Sequence, residues 1–452
     1  MDNNFKDKKI LVMGLGLFGG GLAVSKYLIE QGAKVLITDL RKPEELKESL
    51  AHLDNLPVTL RLGEHREEDF MNADVVIANP AVPDSSPYLK VAREHNAVID
   101  TEINIFIRNC PAPIIGITGS NGKSTTTAMI HHIFETAGYK TWLGGNIGKS
   151  LLEDLPNISI NDVVILELSS FQLERIQGKS PKIAVVTNLS PNHLDRHKTM
   201  ENYAYAKQNL IRYQTNADYC ILNGKDPQMK EWASITPATT YYFGGTNSDI
   251  AIFNDTICYR VQGEWQTLMK TNEIPLPGVV NQENAMAATM AGLSWGIPPE
   301  KIAQALKTFK GLPHRLEFVG EFLGCKIYED SDATTPESTI AAIHSFSKPF
   351  ILIAGGGNKG FDYTELGKHI SANVRVLILM GETAPLMRQC VDDTKVDIHD
   401  VANMTEAVTL AKKLALPNDI IVLSPAATSF GLFRNFVERA EVFKNNIYNI
   451  FQ

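Results

Sequence analysis

The run TGSNGKST, Thr118–Thr125, has the residue types and spacing of a phosphate-binding loop. It follows a β-rich run and precedes a helical pattern, so its backbone N–H groups can surround a phosphate at the positive end of a helix dipole. In such a loop Lys123 would reach the β- and γ-phosphates of a nucleotide, and the Ser124 hydroxyl would bind Mg²⁺. The residues predicted to hold the nucleotide are Gly119, Ser120, Asn121, Gly122, Lys123, Ser124 and Thr125.

The loop is a variant, because five residues rather than the usual four separate Gly116 from Gly122. A solvated glycine turn is the alternative interpretation. A lysine followed by four hydroxyl residues at a helix start argues against it, so the run predicts an ATP or GTP site.

A second feature is a carboxylate inside an apolar run. VVILELSSFQLE, Val163–Glu174, is typical of a buried parallel strand followed by a turn, with Glu167 near the end of the strand. Burying a carboxylate is costly unless a cation meets it, and beside a phosphate loop the natural partner is Mg²⁺. A charge at a strand edge is the alternative.

The next predicted strand, KIAVVTNL, leads into SPNHLDRHK and would bring His193, Asp195 and His197 to the same edge of the sheet. Histidines in loops are more often surface residues than ligands, so spacing alone does not single out His193. Lys207 falls in a predicted helix, Asn202–Ile211, and by itself would be a solvated residue on the helix face.

GLGLFG, Gly14–Gly19, matches the glycine pattern of dinucleotide-binding folds, and Asp39 follows it by twenty residues at the end of a predicted strand. The pattern requires a diphosphate at a helix N-terminus and a hydroxylated ribose. NAD and a UDP-sugar both offer these groups, so the motif alone leaves a dehydrogenase and a sugar-nucleotide protein open.

One pattern of elements, repeated three times, must position these residues: an apolar strand, a glycine-rich turn and an amphipathic helix. The strands are Lys9–Met13, Ile114–Ile117 and Phe350–Ala354, and the third leads through GGGNKG into a helix expected to begin near Tyr363. Strands alternating with helices predict parallel, doubly wound α/β sheets whose ligands bind beyond the carboxyl ends of the strands.

Two proline-marked segments separate the units, NCPAP at Asn109–Pro113 and KGLPHR at Lys310–Arg315. We therefore predict three domains, at residues 1–108, 109–312 and 313–452.

The composition is that of a globular enzyme: 452 residues, 44% hydrophobic and 21% charged, which excludes disordered, fibrous and small disulfide-stapled proteins. A net charge of −8 argues against nucleic acid or anionic lipid as the main partner. Five scattered cysteines give no disulfide framework or metal knuckle and favour a reducing compartment. The N-terminus is charged where a signal peptide would be apolar, and no run approaches the ~20 apolar residues of a membrane helix, so we expect a cytoplasmic protein.

Together these motifs resemble those of the Mur ligases, the ATP-dependent amino-acid-adding enzymes of peptidoglycan synthesis. The resemblance covers essentially all 452 residues. It includes GITGSNGKST, GGNIG, LELSSFQLE, TNLSPNHLDRH, YAYAK, NQENA, LPHRLE and SPAATSFGLFRNFVERAEVF. It implies a Rossmann-like UDP-binding domain, a central P-loop-type ATPase domain with a mostly parallel sheet, and a C-terminal Rossmann-like domain that binds glutamate.

The resemblance also implies catalytic roles. Lys123 and Ser124 would serve the ATP phosphates and a first Mg²⁺, Glu167 would bridge to the metals, and His193 would hold a second Mg²⁺. Lys207 matches the lysine that carries a carbamate in this family, which turns a cation into an anionic oxygen ligand suited to a hard metal.

The implied substrates are ATP, UDP-N-acetylmuramoyl-L-alanine and glutamate, bound by a monomer. Asn284 and Arg315 would border the adenine and the γ-phosphate, Asp330 the ribose, and Asn146 the meeting point of acceptor substrate and phosphates. The implied uridine diphosphate pocket consists of Leu17, Phe18, Asp39 and Arg41, closed by Asn79. The residues implied to hold the glutamate carboxylates are Thr334, Lys359, Ser429 and Phe436.

One segment departs from the family. Members that add D-glutamate typically show D-S-K-[AS]-T-N, whereas this chain has DSDATTPE, Asp330–Glu337, with Asp332 in place of the lysine. An anion near a dianionic amino acid should weaken its binding unless another group compensates. A similar TTP run occurs in relatives that add L-glutamate, so the sequence leaves the chirality of the amino acid open.

Three other functions stay open at this level. A folylpolyglutamate synthase shares the ATPase and C-terminal architecture, but its phosphate loop lies near the N-terminus. An NAD-dependent dehydrogenase would need no phosphate loop. A non-catalytic sugar-nucleotide binder would be free to lose Lys123, Glu167, His193 or Lys207, and all four are present.

Overall fold

The computed structural model describes residues 4–16 and 19–451, and over these residues the chain forms three β-sheets flanked by helices. Each sheet falls within one of the three predicted residue ranges. The short apolar runs form strands because they alternate with helices that cover both faces, which buries nearly continuous hydrophobic sequence.

The first sheet has the strand order β3-β2-β1-β4-β5, and all neighbouring strands are parallel. Its strands are β1 Lys9–Met13, β2 Lys34–Asp39, β3 Val58–Leu62, β4 Val75–Ala78 and β5 Val98–Asp100. The helices of this region are α1 Gly20–Glu30, α2 Lys47–Ala51, α3 Glu67–Met71, α4 Pro87–Glu94 and α5 Glu102–Asn109. This doubly wound order places the switch point between β1 and β4, where ligands of such sheets bind.

The second sheet has the order β14-β13-β12-β11-β10-β9-β6-β8-β7 and is parallel from β7 to β12. Its strands are β6 Ile114–Thr118, β7 Thr141–Gly145, β8 Val163–Glu167, β9 Ile183–Val186, β10 Tyr219–Asn223, β11 Thr239–Phe243, β12 Ile250–Phe253, β13 Thr256–Val261 and β14 Glu264–Lys270. The helices are α6 Lys123–Ala137, α7 Ser170–Leu173, α8 Leu194–His197, α9 Met200–Gln208, α10 Gln228–Ala233, α11 Val279–Trp295 and α12 Pro299–Thr308.

The third sheet has the order β15-β16-β20-β17-β18-β19, with only β15 antiparallel to its neighbour among these strands. Its strands are β15 Glu317–Phe322, β16 Cys325–Glu329, β17 Phe350–Gly355, β18 Val374–Met380, β19 Asp397–Asp400 and β20 Ile420–Leu423. The helices are α13 Pro336–Ile343, α14 Thr364–Asn373, α15 Ala384–Cys390, α16 Met404–Leu414 and α17 Phe436–Ile450. Short 3₁₀ helices lie at Pro43–Glu45, Leu155–Asn157 and Thr271–Glu273.

By contacts the chain divides into two compact units, residues 1–268 with 284–302, and residues 269–283 with 303–452. The first sheet and strands β6–β13 belong to the first unit, and the third sheet belongs to the second. The domain boundaries near residues 108 and 312 stay predictions. No helix in the described part of the chain combines the length and the apolar composition needed to cross a membrane.

Candidate active site

The phosphate loop leaves β6 and enters α6, as the sequence predicts. Gly122 precedes the helix at φ 79°, and a Cβ there would lie 2.4 Å from Asn284 Oδ1. Gly119 is at φ 152°, and a Cβ there would lie 1.9 Å from Thr187 Oγ1. Both positions therefore require glycine, and the backbone curls tightly ahead of the positive end of a fifteen-residue helix.

The segment after β9 braces this loop. Thr187 Oγ1 donates to Asn121 O at 2.6 Å, and the Asn121 N–H donates to Asn188 Oδ1 at 2.9 Å. Ser120 Oγ donates to Ser190 O at 2.9 Å. The Lys123 ammonium folds over the loop and donates to the carbonyls of Gly119 and Ser120 at 3.1 and 2.9 Å. The loop thus has a shape set by neighbouring hydrogen bonds, with its cation held above it.

Asn284, on α11, lies against the same loop. It is buried, and its Oδ1 accepts a hydrogen bond from Thr126 Oγ1 of α6 at 3.2 Å. The structure thereby joins Asn284 to the phosphate loop, and both belong to the first unit.

Glu167 ends β8 at the same edge of the sheet. β8 pairs with β6 in parallel, with Glu167 opposite Ile117, so the carboxylate emerges beside the loop. The residue is 2% exposed, and Asn146 Nδ2 donates to its Oε1 at 2.7 Å. Its Oε2 is buried and accepts no hydrogen bond from any described residue. An orphaned buried carboxylate oxygen is what a cation site requires, so this residue fits Mg²⁺.

Lys207 lies beneath the phosphate loop, and the interpretation of this lysine, taken alone, as a solvated face residue is wrong. It is 1% exposed, because the side of α9 that carries it packs against the loop. Its Nζ donates to Gly119 O at 2.7 Å and to Thr118 Oγ1 at 3.2 Å, and lies 4.7 Å from the centre of the Tyr203 ring. Burial, and then the charge of Lys123, lowers the pKa of Lys207 to about 7, against the raising effect of Glu167.

His193 stands at the start of α8, exposed and in a left-handed conformation at φ 52°. Its ring centre is 4.9 Å from that of Phe171, and the His197 ring stacks on the same phenylalanine at 5.6 Å. His197 is buried and contacts Ser170 Oγ through Nε2 at 3.0 Å. Phe171 therefore fixes the α8 turn, and His193 is the histidine of this turn that faces solvent.

A cavity of about 510 Å³ connects the first glycine motif with the second sheet. Its wall includes Gly14, Asn79 and Asn146. Asn146 also binds Glu167, so one residue of the cavity wall is directly linked to the acidic edge described above.

Asp39 and Arg41 are fixed by local contacts near this glycine motif. The Asp39 carboxylate accepts the Gly16 N–H at 3.1 Å and the Arg41 N–H at 2.9 Å. Leu17 and Phe18, also predicted for the diphosphate pocket, lie outside the described residues.

Sequence reasoning missed Glu102 in this cavity wall. It begins α5, and Ser150 Oγ donates to its Oε1. Burial raises the pKa of Glu102 to about 7, although the Ser150 hydrogen bond lowers it. The available signal was a carboxylate immediately before the apolar run INIFI, the same kind of signal that identified Glu167.

In the second unit, three neighbouring strands bring the remaining predicted residues to one edge. Thr334 follows β16, Ser429 follows β20 and Lys359 follows β17, and these strands are adjacent in the sheet. The loops after β17 and β20 are joined directly, since the Gly357 N–H donates to Thr428 O at 2.9 Å. Ser429 is buried, whereas Lys359 is exposed at the rim.

Asp330 and Arg439 anchor these loops. Asp330 is buried, accepts Ser424 Oγ at 2.7 Å and the Leu316 N–H at 2.9 Å, and burial raises its pKa to about 7. Arg439 of α17 is 1% exposed and donates to Ala427 O at 3.1 Å and Ser331 O at 2.9 Å. Burial lowers the pKa of Arg439 to about 10, which leaves it charged at neutral pH.

Asp332, the carboxylate that departs from the family pattern, pairs with Arg315. Arg315 donates to Asp332 Oδ2 through Nη2 at 2.7 Å and through Nε at 3.2 Å. The Asp332 N–H donates to His314 O at 2.8 Å, so the two loops also join through their backbones. The guanidinium offsets the negative charge that would otherwise face an acidic substrate. Phe436 packs edge-on against the His314 ring at 5.7 Å, which places it beside this pair of loops.

Comparison with protein families shows three matches along the chain. Residues 8–100 match the MurD-like N-terminal domain of Mur ligases, residues 117–292 the Mur ligase middle domain, and residues 314–427 the Mur ligase glutamate ligase domain.

Two relatives match nearly the whole chain. The UDP-N-acetylmuramoylalanine–D-glutamate ligase of Roseiflexus sp. (strain RS-1) is 40% identical over 454 residues, covering 97% of both chains. The enzyme of the same name from Symbiobacterium thermophilum is 39% identical over 445 residues, again covering 97% of both.

Solved structures share the fold at low identity. UDP-N-acetylmuramate–alanine ligase from Thermotoga maritima gives a TM-score of 0.57 at 18% identity, over 98% of this chain and 99% of that one. The MurF ligase from Thermotoga maritima, in complex with ADP, gives 0.55 at 16% identity, over 99% and 97%. These matches confirm the predicted three-part α/β architecture.

Replacing Glu102 with Gln should remove a pH-dependent loss of stability. Because its folded-state pKa of about 7 lies above the ordinary 4.5, the folded chain retains a proton that the unfolded chain releases. Wild-type stability therefore falls as pH rises from about 4.5 to about 7. The Gln side chain still accepts the Ser150 hydrogen bond, but it does not titrate and so adds no pH dependence. Relative to Glu102→Gln, the thermal midpoint of the wild type should fall by roughly 3 °C between about pH 5 and about pH 8.

The exposed Glu48→Gln variant is the matched control and should follow the wild type at every pH. Parallel pH profiles for the wild type and Glu102→Gln would contradict the assignment of a raised pKa to Glu102.

Proposed function

Because the chain belongs to the Mur ligase family, we propose that it joins D-glutamate to the alanyl carboxylate of UDP-N-acetylmuramoyl-L-alanine at the expense of ATP, in the synthesis of peptidoglycan precursors. The similarity to D-glutamate ligases over 97% of both chains carries this proposal. The phosphate loop, Glu167 and Lys207 at one edge of the second sheet support it.

The reaction solves a definite chemical problem. A carboxylate is a poor electrophile, so an amine does not displace its oxygen directly. Transfer of the γ-phosphoryl group of ATP to the carboxylate oxygen gives an acyl phosphate and ADP. The glutamate amine then attacks the acyl carbon, and the tetrahedral intermediate loses phosphate and a proton to leave an amide.

The chain supplies positioning and charge for the phosphoryl transfer. The backbone N–H groups of Gly122 and Lys123 would face the phosphates, and the Lys123 ammonium, which donates to the loop carbonyls in this structure, would turn to the β- and γ-phosphates. Mg²⁺ bound there would neutralise phosphate charge. Ser124, Glu167, His193 and a modified Lys207 are the side chains that would hold it.

We assign a carbamate to Lys207. Its neutral amine would add to the carbon of CO₂ and lose one proton to solvent, which leaves an anionic carbamate. Burial supports this assignment, since a cation with only neutral acceptors at 2.7 and 3.2 Å is poorly stabilised. The pKa of about 7 leaves a substantial fraction of the neutral amine at neutral pH.

The sugar nucleotide would occupy the cavity of about 510 Å³, with its diphosphate at the glycine turn before α1 and its acyl end at Asn146. The loops that carry Thr334, Lys359 and Ser429 would bind the glutamate carboxylates. The adenine role of Asn284, the ribose role of Asp330, the contact of Phe436 with glutamate, the monomeric state and the cytoplasmic localisation stay predictions.

Phosphate release with UDP-N-acetylmuramoyl-L-alanine, Mg²⁺ and ATP tests the proposal directly. We expect turnover with D-glutamate and at least about a hundredfold less with L-glutamate. Turnover with L-glutamate alone would show that the substrate is L-glutamate rather than D-glutamate. Turnover with neither amino acid would refute the substrate assignment. ATP-dependent extension of a folate substrate would instead favour the folylpolyglutamate synthase alternative.

Lys207→Ala should lower phosphate release by about a hundredfold or more, because the anionic ligand is lost. Short-chain carboxylic acids, which can place a carboxylate in the space left by the side chain, should restore part of it. The exposed Lys230→Ala variant is the control, and the acids should not stimulate it. Full activity in Lys207→Ala would refute the carbamate role.

Asp332→Asn tests whether Asp332 positions Arg315. Since both side chains are largely exposed, at 37% and 56%, the pair should add less than about 1 kcal/mol of stability. We expect a nearly unchanged thermal midpoint but a rise of about fivefold in KM for ATP, because Arg315 loses its orientation.

Glu337 is an exposed carboxylate five residues after Asp332. The Glu337→Gln variant is therefore the matched control and should behave as the wild type. If Asp332 merely repelled glutamate, Asp332→Asn would lower KM for glutamate and leave KM for ATP unchanged.

A further inference from the structure

Arg196 lies where three site-bearing segments meet in the first unit. Its Nη1 donates to Ala81 O at 2.8 Å, and its Nη2 donates to Val82 O at 2.8 Å and to Glu174 Oε2 at 2.9 Å. The side chain is only 14% exposed, and its guanidinium carbon lies 5.4 Å from the centre of the Phe171 ring.

Each contact leads to a residue of the proposed site. Ala81 and Val82 belong to the turn that begins at Asn79, where the Val82 N–H donates to Asn79 O at 2.9 Å and Asn79 Oδ1 accepts the Ala81 N–H at 3.0 Å. This turn forms part of the wall of the 510 Å³ cavity. A displacement of the two carbonyls would therefore move Asn79.

The other contacts lead to the metal side. The Arg196 N–H itself donates to His193 O at 3.1 Å, within one helical turn. Glu174 ends the segment that begins with Glu167 and carries Phe171, the ring against which His193 packs. The guanidinium thus joins the Asn79 turn to both of the segments that carry proposed metal ligands.

The neighbouring arginine strengthens the same turn but does not replace Arg196. Arg175 is 7% exposed and donates to Val82 O at 2.9 Å. It approaches Asp84 rather than the α8 turn, with Nε 3.4 Å from Asp84 Oδ1. Only the Arg196 guanidinium, among the described side chains at Val82 O, comes from the His193 segment.

We propose that Arg196 is a positioning residue that couples the sugar-nucleotide turn at Asn79–Val82 to the metal-binding turn at His193. The inference rests on the proposed function for the identity of the two sites. A planar guanidinium suits this task, because its fixed fork reaches two carbonyls and a carboxylate in defined directions. The coupling would align the acyl end of the sugar nucleotide with the γ-phosphate.

The test compares the full chain with Arg196→Ala, Arg196→Lys and Arg93→Ala. Arg93 and Arg196 line one surface cleft of the first unit, and Arg93 pairs with Asp84. Its removal deletes the same charge and leaves the contacts of Arg196 in place. Amide hydrogen exchange of the ligand-free chains is measured at residues 79–84 and 190–198. Phosphate-release kinetics follow, with UDP-N-acetylmuramoyl-L-alanine and Mg²⁺ each varied.

We expect Arg196→Ala to exchange faster in both segments and to raise KM for the sugar nucleotide and the Mg²⁺ requirement by about tenfold each. Arg196→Lys, which keeps the charge but not the fork, should lie between Arg196→Ala and the wild type and serves alone if the alanine variant does not fold. Arg93→Ala should leave exchange at 190–198 and both kinetic constants unchanged.

Faster exchange in one segment only would overturn the coupling. So would a lower kcat with an unchanged KM for the sugar nucleotide and an unchanged Mg²⁺ requirement, and Arg196 would then have a structural role only. The exchange measurement needs no substrate, so it decides the inference even if the wild type fails to use UDP-N-acetylmuramoyl-L-alanine. That failure would refute the proposed function alone.

Discussion

The central site depends on the free-energy cost of burying charge at the carboxyl edge of the second sheet. Glu167 has one oxygen satisfied by Asn146 and one that accepts no hydrogen bond from the described chain. The Lys207 ammonium donates to two neutral acceptors, Gly119 O and Thr118 Oγ1. A buried ion that is incompletely paired costs several kcal/mol. Two such groups beside a phosphate loop fit the proposed function, in which a divalent cation would pair with Glu167 and carbamylation would replace the buried ammonium of Lys207 by an anionic metal ligand.

The same constraint orders the loops in both units. Loops that bind ligands lack the regular hydrogen bonds of helices and strands, so their carbonyls need other donors when buried. Buried or half-buried cations provide them here: Lys207 donates to Gly119 O, Arg439 to Ser331 O and Arg196 to Val82 O. Each contact fixes a loop through its backbone.

Features set by residues close together in the chain, such as strand ends and glycine turns, could be predicted from the sequence. β1 has the expected bounds, β2 ends at Asp39 as expected, and β6 and β8 end at the phosphate loop and at Glu167. Strand, glycine turn and helix are encoded within some twenty residues, so local sequence is enough to place them. Helix α1 begins at Gly20, directly after the last glycine of the motif, Gly19, at φ 83°. The burial of Lys207 was not predictable from its helix, because the phosphate loop that covers it is some ninety residues away. The pairing of Arg315 with Asp332 was likewise hidden, since a hairpin separates them.

The glycine motif at residues 14–19 shows why a local pattern leaves its ligand open. A Cβ on Gly21 would lie 2.3 Å from Leu15 O, and both Asp39 oxygens accept backbone N–H groups, so these residue types follow from the turn itself. Any diphosphate attached to a ribose satisfies such a turn, whether it belongs to a dinucleotide or to a sugar nucleotide. The wall of the same cavity also contains Asn146, which donates to Glu167, and this neighbour is what the glycine motif alone could not reveal. A cavity lined at one end by the glycine turn and at the other by Asn146, the partner of Glu167, suits a substrate whose far end is to be phosphorylated, whereas hydride transfer requires no such neighbour.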